Sequence, residues 1–469
     1  MRNTFHCPAI QRIYNLLDDN SFVETGALII ARNTDFIKQD EENLSDGVIT
    51  GHGLIDGNLV FVYSQDYTVL NGTIGEMHAK KIADLYKQAI KMNAPVIGLI
   101  DCGGIRLHES FDALNSLGEL YRMQALASGK ILQICAVFGM CGGGLNILPA
   151  LADFVYLEEN SKMFIHTPDA VKDNKKEVLD FSTPLYQSEH TKVVDKVLAE
   201  SEIYEQIKTL ILILPRNFKE DCYIAKTEDN LNRECKNIQI NQEDILEIIT
   251  EVSDDHSFYE TKENFGKDIR TGFIRLNGMT IGTLANAKIN GKSLLSADGC
   301  KKAADFILFC DAFRIPLLTL AQVTGFIADI KTEQELARAG AAFVYACANS
   351  KSAKVTLICG DCYTSAAMFM NTKALGADVV YAWPSVKYGI LNAKTAIKLM
   401  PQKEQNDDLK ASEKEFASKQ TDIITAAKHG YIDSIIEPCD TRKYLIDAFE
   451  MLYTKNENIF EKRHGAHSF

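Results

Sequence analysis

Hydrophobic positions along the chain follow two alternating patterns, which predict helices that alternate with buried strands. Ile82, Leu85 and Ala89 recur at intervals of three and four residues, the spacing that gives a helix one apolar face. The run at residues 96–100 is apolar throughout, as in a strand that is covered on both faces of its sheet. A loop rich in glycine follows at residues 101–106, and a second helix and a second apolar run come after it. This order of elements predicts an α/β layer.

The chain contains this arrangement twice. The separation of Gly57 from Gly278 defines a repeat spacing. Five further pairs of landmark residues keep the same spacing: Lys80 and Lys301, Pro95 and Pro316, Gly104 and Gly325, Gly139 and Gly360, Cys141 and Cys362. Matches at one fixed spacing over so long a stretch indicate an internal repeat. The sequence therefore predicts two homologous domains, residues 1–245 and residues 246–469.

A pair of aspartates precedes each copy of the repeat. Asp18 and Asp19 stand before a Ser-Phe dipeptide in the first copy, as Asp254 and Asp255 do in the second, with one residue between the pair and the dipeptide in each case. Aspartate side chains commonly accept hydrogen bonds from backbone amides in turns. We therefore interpret these pairs as turn or cap residues and not as catalytic carboxylates.

Each predicted domain places two loops of small residues directly after buried strands. In the first domain these loops contain residues 103–104 and 142–144, and their counterparts are residues 322–326 and 362–366. Ligands bind at the carboxyl ends of strands in such sheets, and glycine lets a ligand approach the backbone closely. Amides from two loops that converge on one oxygen form an oxyanion hole, which suits a carbonyl that becomes an enolate. The alternative is that these glycines only form tight turns.

Composition narrows the possible classes of function. The 469 residues include 50 Lys and Arg against 63 Asp and Glu, and the formal net charge of −13 argues against nucleic acid as a partner. The N-terminal residues lack the apolar core of a signal peptide, so the twelve cysteines are expected to be reduced thiols in the cytoplasm. No metal site is expected, because the histidines are scattered and Cys359 and Cys362 have no second pair.

Several short motifs, taken together, resemble those of one enzyme family. They include Gly72-Thr73-Ile74-Gly75-Glu76-Met77-His78, Asp101-Cys102-Gly103-Gly104-Ile105-Arg106, Cys141-Gly142-Gly143-Gly144, Tyr381-Ala382-Trp383-Pro384 and His464-Gly465. From Arg12 to Phe469 the chain resembles the β-type carboxyltransferase subunits of biotin-dependent acyl-CoA carboxylases and decarboxylases. The β subunits of propionyl-CoA carboxylases are the nearest familiar group.

The resemblance implies a crotonase-like α/β fold, with two homologous ββα spiral domains in one chain. Chains of this family pair as dimers and are often arranged as hexamers, so a homo-oligomer is expected. The first domain binds the acyl-CoA, a coenzyme A thioester that is the substrate. The second domain binds carboxybiotin, which is carried on a separate protein, a biotin carboxyl carrier protein or a biotin carboxylase subunit.

The resemblance also assigns site residues, because the family has a backbone oxyanion hole in each domain. One hole stabilises the enolate of the thioester, and the other serves the ureido oxygen of biotin. The residues that carry over are Gly104, Ile105, Gly143 and Gly144 for the thioester hole, and Gly325, Phe326, Ser365 and Ala366 for the biotin hole. Near these loops, Lys80, Lys81 and Arg106 are candidates to contact the phosphate groups of coenzyme A. His78 and His108 are expected to be structural or binding residues and not bases.

The second domain departs from the family pattern in its loops. Thr364-Ser365-Ala366 stands where Gly-Gly-Ala is usual, and Met368 stands where many members have an acidic residue. The segment that is usually Pro-Gly-Phe-Leu-Pro-Gly is Thr324-Gly325-Phe326-Ile327-Ala328-Asp329. A side chain in place of glycine adds a Cβ beside the ligand oxygen and restricts the backbone angles. The loops of the first domain therefore follow the family more closely than those of the second.

These features lead to one hypothesis and two alternatives. The hypothesis is a carboxyltransferase subunit that moves a carboxyl group, in either direction, between carboxybiotin on a separate carrier and an acyl-CoA. The first alternative is a decarboxylase or hydratase that acts on CoA thioesters without biotin. The second alternative is a non-catalytic paralogue that assembles within a carboxylase complex.

Overall fold

The computed structural model describes residues 7–34, 45–220, 225–240, 243–400 and 409–455. The motif residues His464 and Gly465 lie outside these ranges. The chain divides into two compact units, Met1–Asp221 and Cys222–Phe469, and each contains one large sheet. No helix in the described ranges is long and apolar enough to cross a lipid bilayer.

The first unit is organised around a sheet whose described residues form eight strands. They are β1 (Val23–Thr25), β2 (Val48–Ile55), β3 (Asn58–Gln65), β4 (Val96–Cys102), β5 (Gln133–Gly142), β6 (Phe154–Glu158), β7 (Lys162–Phe164) and β8 (Lys196–Leu198). The order across the sheet is β1-β2-β3-β4-β5-β6-β8, and β7 pairs with the end of β5. Strands β1 to β3 are antiparallel, and the pairs from β3 to β8 are parallel.

Helices of the first unit supply the crossover connections that parallel strands need. They are α1 (Pro8–Leu16), α2 (Glu76–Met92), α3 (Ser110–Ala127), α4 (Ile147–Ala150), α5 (Pro184–His190) and α6 (Glu200–Ile213). Ile82, Leu85 and Ala89 on α2 are all buried, so the predicted amphipathic helix is confirmed. The helix ends where Asn93 takes a left-handed conformation and its amide bonds back to the last turn.

The second unit has a seven-stranded main sheet and two small two-stranded sheets in its described residues. The strands are β9 (Tyr259–Thr261), β10 (Ile269–Leu276), β11 (Met279–Asn286), β12 (Leu294–Leu295), β13 (Leu317–Ala321), β14 (Gly325–Phe326), β15 (Lys354–Ile358), β16 (Cys362–Tyr363), β17 (Val379–Ala382), β18 (Tyr388–Gly389) and β19 (Ser434–Ile435). The main sheet runs in the order β9-β10-β11-β13-β15-β17-β19, while β12 pairs with β14 and β16 pairs with β18.

The helices of the second unit follow the same alternation. They are α7 (Ile245–Val252), α8 (Ala297–Ala312), α9 (Ile330–Asn349), α10 (Ala366–Phe369), α11 (Ala393–Leu399), α12 (Leu409–Gln420), α13 (Ile423–Lys428) and α14 (Thr441–Met451). Helix α8 follows the β10–β11 hairpin as α2 follows the β2–β3 hairpin, and α9 occupies the place of α3.

The internal repeat is visible in the backbone. Both ends of β10 and β11 lie at the repeat spacing from the ends of β2 and β3. The carboxylate of Asp18 accepts hydrogen bonds from both amides of the β2–β3 turn, each at 2.9 Å. Asp254 accepts the corresponding two bonds from the β10–β11 turn, at 3.1 and 2.7 Å. The prediction that these aspartates are turn residues is therefore confirmed for Asp18 and Asp254.

One helix position carries a buried lysine in both units. Lys81 on α2 donates to the Val48 carbonyl at 2.6 Å and lies 3.4 Å from the Asp46 carboxylate. Its counterpart on α8, Lys302, donates to two backbone carbonyls at 2.8 and 3.0 Å. Burial lowers the pKa of Lys302 to about 7, because the charged ammonium loses its hydration.

The depressed pKa of Lys302 predicts a pH-dependent stability. In the unfolded chain this lysine is protonated at any pH below its ordinary pKa of 10.5. In the folded chain it is protonated only below about pH 7. Its contribution to stability is therefore complete above about pH 10.5 and is lost as the pH falls toward 7. We expect the unfolding free energy of the wild type, relative to that of Lys302→Met, to fall as the pH is lowered through this range.

Urea unfolding of both proteins at several pH values between 7 and 10 measures this difference. Lys351→Met is the matched control, because Lys351 is an exposed lysine of the same unit. The control should keep a constant difference from the wild type. A difference that is equally constant for Lys302→Met would contradict the pKa assignment.

Candidate active site

Two loops of the first unit leave its sheet side by side. Strands β4 and β5 are parallel neighbours, and their last paired residues are Cys102 and Cys141. From these positions the chain continues into loop A, residues 103–106, and loop B, residues 142–145. Because both loops follow the carboxyl ends of adjacent parallel strands, they emerge at the same edge of the sheet, where ligands bind in such folds.

Loop A is held by the segment before α2, chiefly by Ile74. The Ile74 amide donates to the Gly104 carbonyl at 2.9 Å, and the Arg106 amide donates to the Ile74 carbonyl at 2.8 Å. In a parallel pair of this kind the intervening residue, Ile105, turns its own amide to the opposite side. Gly104 has a φ of +130°, which favours glycine. The amides of Gly104 and Ile105 have no acceptor among the described residues.

Loop B begins a short 3-10 helix, Gly143–Asn146. The first amides of a helix have no acceptor within it. The parallel pairing of β5 with β7 ends at Gly142 and Phe164, directly before these amides. The Tyr121 hydroxyl donates to the Gly144 carbonyl and thereby fixes the orientation of that peptide group. The Cδ1 atom of Ile105 lies 3.9 Å from the place where a Cβ on Gly144 would stand, so loops A and B are neighbours.

The arrangement can bind a ligand oxygen that gains negative charge. Gly104, Ile105, Gly143 and Gly144 are all partly exposed, and the amides of Gly104 and Ile105 are unbonded within the described ranges. Fixed amides of this kind stabilise an oxyanion because they need no reorganisation when charge develops. The structure thus brings together the four residues predicted for the thioester hole, whose role remains a prediction.

The second unit has two corresponding loops, loop C at residues 324–327 and loop D at residues 363–366. They are also neighbours, because the Tyr363 amide donates to the Val323 carbonyl at 2.8 Å. Loop C repeats the attachment of loop A, since the Ile327 amide donates to the Leu295 carbonyl at 2.9 Å and β14 pairs with β12. Gly325 and Phe326 therefore occupy the places of Gly104 and Ile105.

Loop D keeps the backbone path of loop B, and several of its amides are bonded inside the protein. Thr364, which the repeat spacing aligns with Gly143, has a φ of +63° against +65° for Gly143. The Thr364 amide donates to two carbonyls of the following segment, at 3.2 and 3.0 Å, and its hydroxyl accepts a bond from the Ala366 amide at 3.2 Å. The Ala366 amide, predicted to face the ligand, is therefore already bonded inside the loop.

Ser365 is the better placed of the two residues predicted in loop D. It is exposed, and its amide has no acceptor in the portion of the chain that the structure describes. From the sequence alone, Thr364 is only a departure from the family pattern and is not assigned to the site, although the repeat spacing aligns it with Gly143. The residue types Thr-Ser-Ala give no indication that the threonine has a left-handed backbone conformation, so the sequence could not reveal its place in the loop.

Two of the three basic residues predicted to contact phosphate groups are enclosed by protein. Arg106 and Lys81 are each only 4 % exposed. The Arg106 guanidinium donates to the Glu109 carboxylate at 2.8 Å, and Lys81 makes the internal contacts described above. The prediction is therefore corrected for both, since buried cations that are bonded within their own unit do not reach a phosphate group. Lys80 is exposed on α2, and its contact remains a prediction.

The two histidines near loop A differ in their surroundings. His78 is fully buried, with Nδ1 at 2.9 Å from the Asp46 carbonyl and Nε2 at 3.1 Å from the Gln65 amide group. Burial and the nearby Arg106 guanidinium lower the pKa of His78 to about 3, so the ring is neutral at physiological pH. His78 is thus a structural residue, as the sequence indicated, while His108 is exposed.

The thiols beneath the loops are not nucleophiles. Cys102 and Cys141 are completely buried, and burial raises the pKa of Cys102 to about 12. A thiol with so high a pKa carries almost no thiolate at neutral pH. Cys359 and Cys362 are buried as well, and no group of His, Cys, Asp and Glu in the described ranges could hold a metal ion.

Comparison with known proteins gives one family. The family model described as carboxyl transferase domain matches residues 7–467. The propionyl-CoA carboxylase beta chain of Roseobacter denitrificans is 35 % identical over 97 % of this chain and 92 % of its own. Methylmalonyl-CoA decarboxylase subunit alpha of Propionigenium modestum has the same identity and coverage. The solved structure of transcarboxylase 12S with methylmalonyl-CoA bound superposes with a TM-score of 0.92 at 30 % identity, covering 97 % of this chain and 92 % of that one. The predicted crotonase-like α/β fold is confirmed.

Alanine substitutions at two glycines with open space around them should have opposite effects on the stability of the protein. No heavy atom of the described residues lies within 4 Å of a Cβ built on Gly143 or on Gly118. Gly143 has a left-handed φ of +65°, so Gly143→Ala should lower the unfolding free energy by about 1–2 kcal/mol. Gly118 lies inside α3, so Gly118→Ala should raise it by about 0.5–1 kcal/mol. Chemical denaturation of the two variants checks the signs, and a stabilised Gly143→Ala would refute the left-handed assignment.

Proposed function

Because this chain belongs to the carboxyl transferase domain family, we propose that it is a carboxyltransferase subunit that moves a carboxyl group between carboxybiotin on a separate carrier and an acyl-CoA. The observation that carries the proposal is the pair of unbonded amides on loop A, those of Gly104 and Ile105, within the described residues, next to the helix that begins in loop B. Carboxyl transfer to or from the α-carbon of a thioester passes through an enolate, whose negative charge collects on the thioester oxygen. Amides fixed on two neighbouring loops are suited to that oxygen.

The first unit stabilises charge and leaves proton transfer to another group. Removing one oxyanion donor of this kind raises the activation free energy by about 3–4 kcal/mol, which lowers the rate by a factor of about 10²–10³. His78, buried and neutral, is not placed to take the α-proton. The thiols Cys102 and Cys141 are buried below the loops. Within the described residues, the chain thus contributes binding and electrostatic stabilisation to the reaction.

The second unit supplies the groups that would hold biotin. The exposed Ser365 has an unbonded amide within the described ranges, and a Cβ built on Gly325 meets only Leu294 Cδ2, at 3.4 Å, among the atoms described. An amide donor beside open space fits the oxygen of a ureido ring. When bound, biotin would supply the carboxyl group and the base. On this side the amides of Thr364 and Ala366 are bonded inside the protein, so they are not donors for the ring.

The proposal includes partners and location. A biotin carboxyl carrier protein or a biotin carboxylase subunit would bring the carboxyl group, and the relatives are subunits of such enzymes by name. The solved transcarboxylase 12S is titled a hexamer assembly, which supports a dimer-based homo-oligomer for this chain. We place the protein in the cytoplasm, in accord with its buried, reduced thiols.

A second candidate function is favoured by loop D alone. Because Thr364 and Ala366 have bonded amides, the chain could use only loops A and B, as a CoA-thioester decarboxylase without biotin. The two candidates differ in one measurement, which is the transfer of a carboxyl group from free carboxybiotin to propionyl-CoA or acetyl-CoA by the purified chain.

The proposal predicts that Gly143→Val abolishes this transfer. The valine side chain would project into the space between loops A and B, and turnover should fall by about 10²-fold or more. A β-branched residue can take this backbone shape, as Thr364 does in the second unit, so the variant should still fold. Turnover is measured with radiolabelled carboxybiotin and both acyl-CoA acceptors.

Gly57→Val is the matched control for this variant. Gly57 lies in the same unit with a φ of +75°, and a Cβ there also meets no described atom within 4 Å. It should reproduce any loss of stability without loss of turnover. Full turnover in Gly143→Val would remove Gly143 from the site. A wild type that decarboxylates a carboxylated acyl-CoA but accepts nothing from carboxybiotin would support the second candidate.

A further inference from the structure

A buried ion pair lies directly beneath loop A. The Arg106 guanidinium and the Glu109 carboxylate are 2.8 Å apart, and each residue is only 4 % exposed. A charged pair enclosed to this degree is costly to desolvate, so it is retained only where its hydrogen bonds are well satisfied. The contacts of both partners show what it joins.

Arg106 reaches across to the segment that precedes α2. Its Nη2 donates to the Thr73 carbonyl at 2.7 Å and to the Asp46 carbonyl at 3.0 Å. Its Nε lies 3.4 Å from the Thr73 hydroxyl. A planar guanidinium can satisfy these acceptors and a carboxylate together, whereas an ammonium group cannot match that geometry.

Glu109 closes the connection from the other side. Its second carboxylate oxygen accepts a bond from the Glu76 amide, the first amide of α2, at 2.5 Å. A Cβ built on Gly75 would lie only 2.4 Å from Glu109 and 2.5 Å from Arg106, so the backbone approaches the ion pair directly. The pair therefore links loop A to the same short segment, residues 73–76, whose Ile74 holds the backbone of loop A.

The second unit provides an internal comparison. The repeat spacing aligns Arg106 and Glu109 with Ile327 and Ile330. Ile330 is 78 % exposed, and two isoleucines cannot form an ion pair at these positions of loop C. The repeat thus builds the same loop without the pair, which shows that the fold of the loop does not require it.

We propose that Arg106 and Glu109 are positioning residues for the reaction, which fix the direction of the Gly104 and Ile105 amides toward the thioester oxygen. This inference rests on the proposed function, because it concerns the same loop. Arg106 carries the amide that bonds to Ile74, so its side chain and backbone clamp the peptide groups on either side of Ile105. A loosened clamp would misdirect these amides without removing them.

Two conservative variants test the proposal. Arg106→Lys keeps the positive charge but loses the planar fork, and Glu109→Gln keeps the shape but loses the charge. A donor that acts on the transition state affects kcat and kcat/KM together, so kcat should fall about tenfold or more while KM for propionyl-CoA stays within about twofold. Glu109→Gln is the milder change and serves if Arg106→Lys fails to fold.

A spectroscopic readout separates positioning from a merely structural role. The carbonyl stretch of ¹³C-labelled propionyl-CoA should shift to lower frequency when it binds to the wild type, and by less in either variant. Lys87→Gln is the matched control, because it breaks an exposed pair with Glu119 on the same two helices, α2 and α3. This control should leave kcat and the carbonyl stretch unchanged.

The outcomes distinguish this proposal from the proposed function. Variants that melt earlier but keep the wild-type kcat and carbonyl stretch would show that the ion pair is structural only. A wild type that shifts the carbonyl stretch but transfers no carboxyl group would defeat the proposed function and leave the positioning role intact. A wild type that binds propionyl-CoA without any shift would overturn both.

Discussion

The geometry of the candidate active site depends on the parallel pairing of β4 with β5, which ends at Cys102 and Cys141. That pairing sets two loops beside each other, and the bonds of Ile74 then fix the direction of the peptide groups in loop A. The donors are main-chain amides, so their aim is a property of backbone path and not of side-chain rotamers. A catalyst built in this way needs a rigid scaffold more than it needs reactive residues.

The rigidity comes from close packing around small residues under the loops. A Cβ on Gly139 would stand 2.1 Å from the Asp101 carboxylate, and one on Gly72 would stand 2.3 Å from the Asp101 carbonyl. These glycines permit close approach, whereas Gly143 is needed for its left-handed φ. The same residue type therefore serves two physical purposes within one site, and only the structure separates them.

The duplicated units show how such a scaffold tolerates change. In the first unit, a Cβ on Gly47 would lie 3.7 Å from the His78 ring. In the second unit, Asp268 stands at the position of Gly47, and Gly299 stands at the position of His78. The larger side chain therefore comes from the opposite position of the pair, and the space between the two backbones is still filled by one side chain.

Sequence reasoning recovered what depends on local pattern and on the repeat. It identified the buried strands, the apolar face of α2 and the four loops, because periodicity and spacing are properties of neighbouring residues. It misplaced Arg106 and Lys81, whose partners lie far away in the sequence. Arg106 bonds to Asp46 across 60 positions, and Lys81 bonds to Val48 across 33. Burial of a charge by distant segments leaves no local signal.

Thr364 shows why the second pair of loops could not be inferred from composition. A β-branched residue in a left-handed conformation costs about 1–2 kcal/mol, and its hydroxyl bond to the Ala366 amide offsets about 1 kcal/mol. Such an outlier persists only where the surroundings determine it, here through the two bonds of the Thr364 amide and the bond from Tyr363 to Val323. The path of loop D is thus imposed by its neighbours and survives the loss of glycine.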